Sequence, residues 1–400
     1  MKTRRQFIES ALVGSVTALA AAHGLAVAGA ADTPSLSEGV APKGVIDWHN
    51  HWLSPRSVEI LQKRKSAPLI KTNSDGSLAF VSDLTGPGGL TLAPEFTDVE
   101  ARLRHLNRVG VARQVISWPT TLGADAVLDA AESREIWAAY NEDLADLVAK
   151  HPDRFSGLAT LPTSDIIWAA AELERAHAKL GLIGAVLPVG AFQSLDGARQ
   201  LSPIFDVAQK HGSHIYLHTG PASPSISGQV TLTTSSDDAP AVRGTLERSL
   251  TFARGAVTLT RTDFLDAYPD VTIQIAMLGG AASVLSSWLL HNPRGRQGTP
   301  SKRLFDRVYV DTGVFGRSPE LLAFATEVLG ADRVLFGSDF PLAPTDRTLV
   351  ALAHSAIGRD EKQSILVDNG QSLFSKITRP RSANAANGME EACCITIPLA

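Results

Sequence analysis

The sequence predicts an α/β fold of the (β/α)8, or TIM, barrel type, and three observations carry that prediction. Eight short apolar runs, most of them rich in β-branched residues, recur between residues 44 and 337. Amphipathic helical patterns separate them. The two longest connections leave from the carboxyl ends of runs, where barrels build their working loops. A strand buried on both faces reads as a continuous hydrophobic run rather than an alternating one. Regular strand–helix alternation then argues for parallel strands joined by crossovers. An open, doubly wound sheet is the structural alternative.

In chain order the runs are Gly44–His49, Arg113–Trp118, Ser156–Leu161, Ile183–Pro188, His214–Thr219, Val271–Met277, Arg307–Thr312 and Arg333–Gly337. Helices are expected over Glu100–Arg108, Ser133–Lys150, Ile166–Leu180, Ser202–Lys210, Arg261–Tyr268, Ala281–Leu290 and Pro319–Leu329, with Asp360–Asp368 and Gln371–Lys376 closing the fold. The barrel therefore spans 44–376. Residues 52–98 and 220–258 read as loop insertions after the first and fifth strands, placed to shape or cover a pocket.

The flanks have a different character. Residues 1–30 read as a signal peptide: Arg4-Arg5, then Phe7-Ile8, then an Ala- and Leu-rich run ending in Ala28-Gly29-Ala30. The paired arginines resemble a twin-arginine signal, which implies export to the periplasm with metal already in place, and no membrane span after cleavage. A Pro/Ser/Gly linker covers 31–43, and the tail 377–400 is expected to be disordered. The only cysteines, Cys393 and Cys394, are adjacent in that tail, so no disulfide framework holds the body together. With 37 basic against 41 acidic residues and no basic run or phosphate-binding glycine loop, nucleic acid is not an expected partner.

Chemistry concentrates at three strand ends. In Val45-Ile46-Asp47-Trp48-His49-Asn50-His51 the side chains at 47, 49 and 51 share one face, so two imidazoles can grip one cation from one side. In Ile215-Tyr216-Leu217-His218-Thr219-Gly220-Pro221 a histidine closes an apolar strand just before a breaker. In Phe336-Gly337-Ser338-Asp339-Phe340-Pro341 an aspartate follows the eighth strand, beside the first once a barrel closes. His49, His51, His218 and Asp339 are the expected ligands of one divalent metal ion. Three imidazoles and a carboxylate suit zinc first, and also manganese, iron or cobalt. Trp52, Trp118 and Arg243 are the candidate substrate-binding residues, with Arg248 and Arg254 beside the last. Asp47 can orient the ligands or tie backbone groups, and Asp311 ends the seventh strand.

These motifs resemble the amidohydrolase superfamily, in particular the group that contains aminocarboxymuconate-semialdehyde decarboxylase. The resemblance covers Gly44 to Lys376 and includes Asp368-Asn369-Gly370-Gln371-Ser372-Leu373-Phe374 near the end. It implies one cation at the four positions, a small aromatic or unsaturated carboxylic acid as substrate, and often a homodimer. One position departs. The group usually carries His-x-Gly-Gly after the sixth strand, and here Met277-Leu278-Gly279-Gly280 stands instead. That histidine handles protons beside the metal, and a thioether cannot. Asp339 is then the nearest proton-handling group. Three functions follow in order: a carboxy-lyase releasing CO2; a hydrolase of a lactone, ester or amide; and a metal-containing binding protein without turnover.

Overall fold

The computed structural model describes residues 43–230, 240–291 and 308–377. The signal peptide, all but the last residue of the linker, all but the first residue of the tail and both cysteines lie outside the described residues. Among the described residues no helix is long and apolar enough to cross a membrane.

Eight parallel strands form the wall, as the apolar runs predict. They are Val45–His51, Val111–Ser117, an interrupted third strand (Phe155–Gly157 and Ala159–Thr160), Gly184–Pro188, His214–His218, Thr272–Ile275, Val308–Asp311 and Val334–Leu335. The third strand is interrupted because it serves two partners. Phe155–Gly157 pairs with the second strand, and Ala159–Thr160 pairs with the fourth. Parallel pairing then runs from the fourth strand to the eighth. Backbone bonds from Trp48 N to Phe336 O (2.9 Å), Asp339 N to His49 O (2.7 Å) and His51 N to Phe340 O (2.7 Å) return the eighth strand to the first. The sheet is therefore a closed barrel, not an open doubly wound one.

Helix boundaries follow local chemistry. Asp129 caps Ala130–Lys150 through a capping box with Glu132. Asp165 caps Ile166–Leu180, and Gly181 ends it in the left-handed conformation. Two regions differ from expectation. The segment 52–98 is folded: helix Pro55–Lys63 leads into an antiparallel sheet of Leu69–Thr72, Leu78–Val81 and Leu90–Thr91. The helix expected over Arg261–Tyr268 instead ends there, since Pro240–Arg261 is helical and Phe264–Ala267 is a single 3-10 turn. Gly244, Gly255 and several threonines weaken the intrinsic helix signal of that stretch. Tertiary packing overrides it: Phe252, Ala253, Ala256 and Leu259 are buried at helical spacing. Thr251 and Thr260 also turn their hydroxyls back onto carbonyls four residues earlier, at 2.8 and 2.6 Å. A helix over Thr345–His354 was not expected, and Asp360–Asp368 resolves into Arg359–Gln363 and a wider π turn, Ser364–Asp368.

The fourth and fifth strands approach so closely that a Cβ on Gly184 would lie 1.8 Å from His214 O. At Gly181 a Cβ would meet nothing within 4 Å, so only its left-handed φ of 65° opposes a side chain. Gly184→Ala is therefore expected to destabilise the barrel by roughly 3 kcal/mol, against about 1 kcal/mol for Gly181→Ala. Denaturant melts of the two variants check this, and equal midpoints would contradict the packing argument.

Candidate metal centre

Four side chains from three strand ends meet at the carboxyl-terminal mouth of the barrel. His49 and His51 project from the first strand on one face, His218 closes the fifth, and Asp339 follows the eighth. All four are buried. One donor atom from each lies within 4.8 Å of the other three. Asp339 Oδ1 sits 3.0 Å from His49 Nε2 and 3.1 Å from His51 Nε2. Between the two histidines, Asn50 turns away, and its amide donates to Asp47 O and Val115 O at 3.0 and 3.1 Å.

The far side of each first-strand ring is held in place. Asp311 Oδ1 accepts from His49 Nδ1 at 2.8 Å, while its Oδ2 accepts from Gln274 Nε2 at 2.7 Å. Met277 N also donates to Asp311 Oδ1, at 3.2 Å. A carboxylate so used can only accept, so His49 carries its proton on Nδ1 and aims Nε2 inward. Ser117 Oγ donates to Asn50 O at 3.1 Å, which leaves it free to accept from His51 Nδ1 at 3.4 Å. The result fits a divalent cation. His218 Nε2 is buried without a hydrogen-bond partner, an expensive arrangement for a nitrogen that has nothing to ligate, and His49 Nε2 faces only the Asp339 carboxylate.

Electrostatics agree with that fit. Burial works against the charge on Asp339, yet His49 and His51 hold its carboxyl well below the usual range. Burial also opposes charge on His49, but Asp311 and Asp339 outweigh it and raise the imidazole to about 10. His51 is lowered, chiefly by burial, and His218 lies well below its ordinary value through burial and the two neighbouring rings. A proton on His49 thus stands where a cation's positive charge would go.

The remaining sequence candidates fall elsewhere. Trp52 and Trp118 are buried, and the ring of Trp52 meets that of Tyr140 at 5.9 Å between centroids. Trp118 packs on Trp137 (4.7 Å between centroids) and Tyr140 (5.4 Å), with Phe80 of the inserted sheet at 6.5 Å. Arg243 is exposed near the start of helix Pro240–Arg261. Arg248 and Arg317, by contrast, both feel the charge of Asp339, though burial lowers each. Arg317 Nε and Nη2 are buried without a partner. Nothing in the sequence marks Arg317, Gln274 or Ser117, each being a common polar residue at a strand end or in a loop. Asp47 does not touch the rings; it accepts from His49 N (3.2 Å), Ser338 N (2.9 Å), Ser338 Oγ (2.8 Å) and Gln114 Nε2 (2.8 Å).

The family model described as Amidohydrolase matches residues 46–375. The chain belongs to this family. It is 26% identical to gamma-resorcylate decarboxylase of Polaromonas sp. over 325 residues, covering 74% of this chain and 93% of that one. It is 31% identical to 2-amino-3-carboxymuconate-6-semialdehyde decarboxylase of Dictyostelium discoideum over 125 residues, 30% of this chain and 33% of that one. Among solved structures, 5-carboxyvanillate decarboxylase from Sphingomonas paucimobilis superposes with a TM-score of 0.65 at 20% identity, over 83% of this chain and 99% of that one. Dihydroxybenzoic acid decarboxylase from Polaromonas sp. JS666, solved with manganese and 2-nitroresorcinol, gives 0.62 at 24% identity, over 85% and 98%. These likenesses agree with the closed barrel.

A cation must displace the proton that His49 holds up to about 10. Binding of Mn2+ or Zn2+ near pH 7 is therefore expected to release about one proton per ion, with apparent affinity rising roughly tenfold per pH unit across neutrality. Calorimetry in buffers of different ionisation enthalpy reads the number directly. Binding without proton release would contradict the charge assignment at His49.

Proposed function

We propose that this amidohydrolase-family protein is a metal-dependent decarboxylase of a small aromatic carboxylic acid. The observation that carries the reading is the buried convergence of His49, His51, His218 and Asp339, with His218 Nε2 left without a partner, in a chain whose near-full-length curated relative is a decarboxylase. His49, His51, His218 and Asp339 would hold a divalent cation, which when bound would supply positive charge to stabilise the negative charge that develops as the carboxyl group leaves. Manganese is favoured by its presence in the dihydroxybenzoic acid decarboxylase, and zinc by the donor set.

The protein's own groups supply the rest. Asp311, itself steadied by Gln274, keeps His49 aimed at the site. Arg317 offers buried, unpartnered N–H groups to a substrate carboxylate, with Arg248 adding positive charge from the long helix. As CO2 leaves, its carbon's bonding pair stays on the ring carbon and must take up a proton. Met277 cannot provide it. Asp339, held ionised by its two histidines, has no proton to donate at neutral pH.

The missing donor favours one second reading, hydrolysis of a lactone or ester, in which no proton has to be delivered to carbon. Export remains a proposal as well, supported by Arg4-Arg5 and the apolar run behind it. Deleting residues 1–30 and following the protein by cell fractionation tests it.

Incubation of Mn2+- or Zn2+-loaded protein with 2,6-dihydroxybenzoate and 5-carboxyvanillate is expected to release CO2. Chelation or Asp339→Asn should abolish release, and Met277→His should raise turnover by a factor of about 10². Turnover of lactones or esters with no CO2 would remove the decarboxylase reading. Activity confined to Met277→His would identify the natural protein as catalytically disabled.

A further inference from the structure

We propose that Thr120 is a positioning residue that fixes the tautomer of His218 and so commits His218 Nε2 to the metal centre. Thr120 opens the 3-10 turn Thr120–Leu122, just beyond the second strand, and is buried. Its hydroxyl makes two contacts, 2.6 Å to Thr219 O and 2.9 Å to His218 Nδ1. A hydroxyl has one hydrogen. The carbonyl of Thr219 can only accept, so that hydrogen is spent there. The contact with His218 must then run the other way, with Nδ1–H donating to Thr120 Oγ1. A neutral imidazole has a single N–H, so Nε2 is left with a lone pair.

The opposite tautomer is penalised twice. It would set the lone pair of Nδ1 against the lone pairs of Thr120 Oγ1. It would also point an N–H at the other ligand rings, whose centroids lie 4.8 Å (His49) and 4.5 Å (His51) away. Close packing holds the arrangement in register. A Cβ on Gly220 would fall 2.5 Å from Thr120 O, so a side chain at 220 would push Thr120 off the strand end. The order His218-Thr219-Gly220 thereby acquires a physical meaning: ligand, acceptor for the lock, and space for its approach.

The inference rests on the metal reading for its consequence, but its geometry does not need the ion. Two measurements on the full chain separate the two. The first is titration of metal-stripped protein with Mn2+ alone. Thr120→Val keeps the shape and removes the oxygen, and it is expected to weaken binding by about 10- to 100-fold, while Thr120→Ser stays near wild type. The second is the ring nitrogen shifts of His218 in metal-free, 15N-histidine-labelled protein. Wild type and Thr120→Ser should show a protonated Nδ1 and a bare Nε2, and Thr120→Val should lose that pattern.

Wild-type protein that binds no Mn2+ would sink the metal reading, and the nitrogen shifts would still decide the tautomer. Unchanged affinity and unchanged shifts in Thr120→Val would overturn the proposal. Should the valine variant fail to fold, Thr120→Ala against Thr120→Ser carries the same comparison, since both remove bulk and only serine returns the hydroxyl. Equal behaviour of that pair overturns the proposal too.

Discussion

Closure of the first strand against the eighth is the constraint on which the site depends. It places Asp339 beside His49 and His51, which lie nearly three hundred residues earlier in the chain. Buried polar groups do the closing. Asp47 binds Ser338 through both backbone and side chain, and Gln114 relays from Asp47 to Arg102, whose Nη1 donates to Gln114 Oε1 at 2.7 Å. Arg102 also donates to His51 O, reaching the site's own backbone. Burial raises the Asp47 carboxyl despite its four donors and lowers Arg102 to about 10. At neutral pH the guanidinium nevertheless keeps its charge. Such a network costs desolvation and is retained only when nearly every donor finds an acceptor, which makes it a device for fixing register more than for adding stability.

Backbone strain gathers at the same mouth. Asp339 has φ of 64°, and Met277 and Leu278 have φ of 56° and 55°. An aspartate tolerates this conformation better than most side chains, whereas methionine and leucine do not. Each such residue costs of order 1–3 kcal/mol and persists only where surroundings overdetermine it. Here they do. Asp339 N is tied to His49 O, and Met277 N to Asp311 Oδ1, so two of the three strained residues are anchored to the ligand on the first strand or to the acceptor behind it.

The sequence made the barrel legible because burial on both faces leaves a plain mark. Each of the eight apolar runs became a strand, and Pro319–Leu329 and Ile166–Leu180 became helices with the boundaries their patterns imply. The long helix Pro240–Arg261 was not legible, since glycines and threonines hide its period and only packing against the barrel reveals it. The ligands were legible because histidines and an aspartate at strand ends are rare and chemically specific. Their supports were not. Ser117, Thr120 and Gln274 are ordinary residues whose roles come from which lone pair is already occupied, a property of three-dimensional hydrogen bonding that no spacing encodes. Trp52 and Trp118, whose residue type suggested a binding wall, are both buried against Tyr140, a packing that their spacing in the sequence does not encode.

Met277 changes the balance of the site rather than its shape. Met277 Cγ, Asp311 Oδ1 and His49 Nδ1 lie 3.0, 3.1 and 3.2 Å from where a Cβ on Gly313 would stand, so the apolar side chain of Met277 borders the same small space as the hydrogen bond that orients His49. An apolar neighbour excludes water there and strengthens that bond electrostatically. The same neighbour has no proton to offer. A centre built this way is well suited to holding a cation and polarising what binds to it, since those tasks need fixed charge and dryness. It is poorly suited to returning a proton to carbon, which needs a group that titrates near the working pH. Holding the cation and delivering the proton are therefore separate demands on this site, and the choice between lyase and hydrolase turns on the proton rather than on the metal.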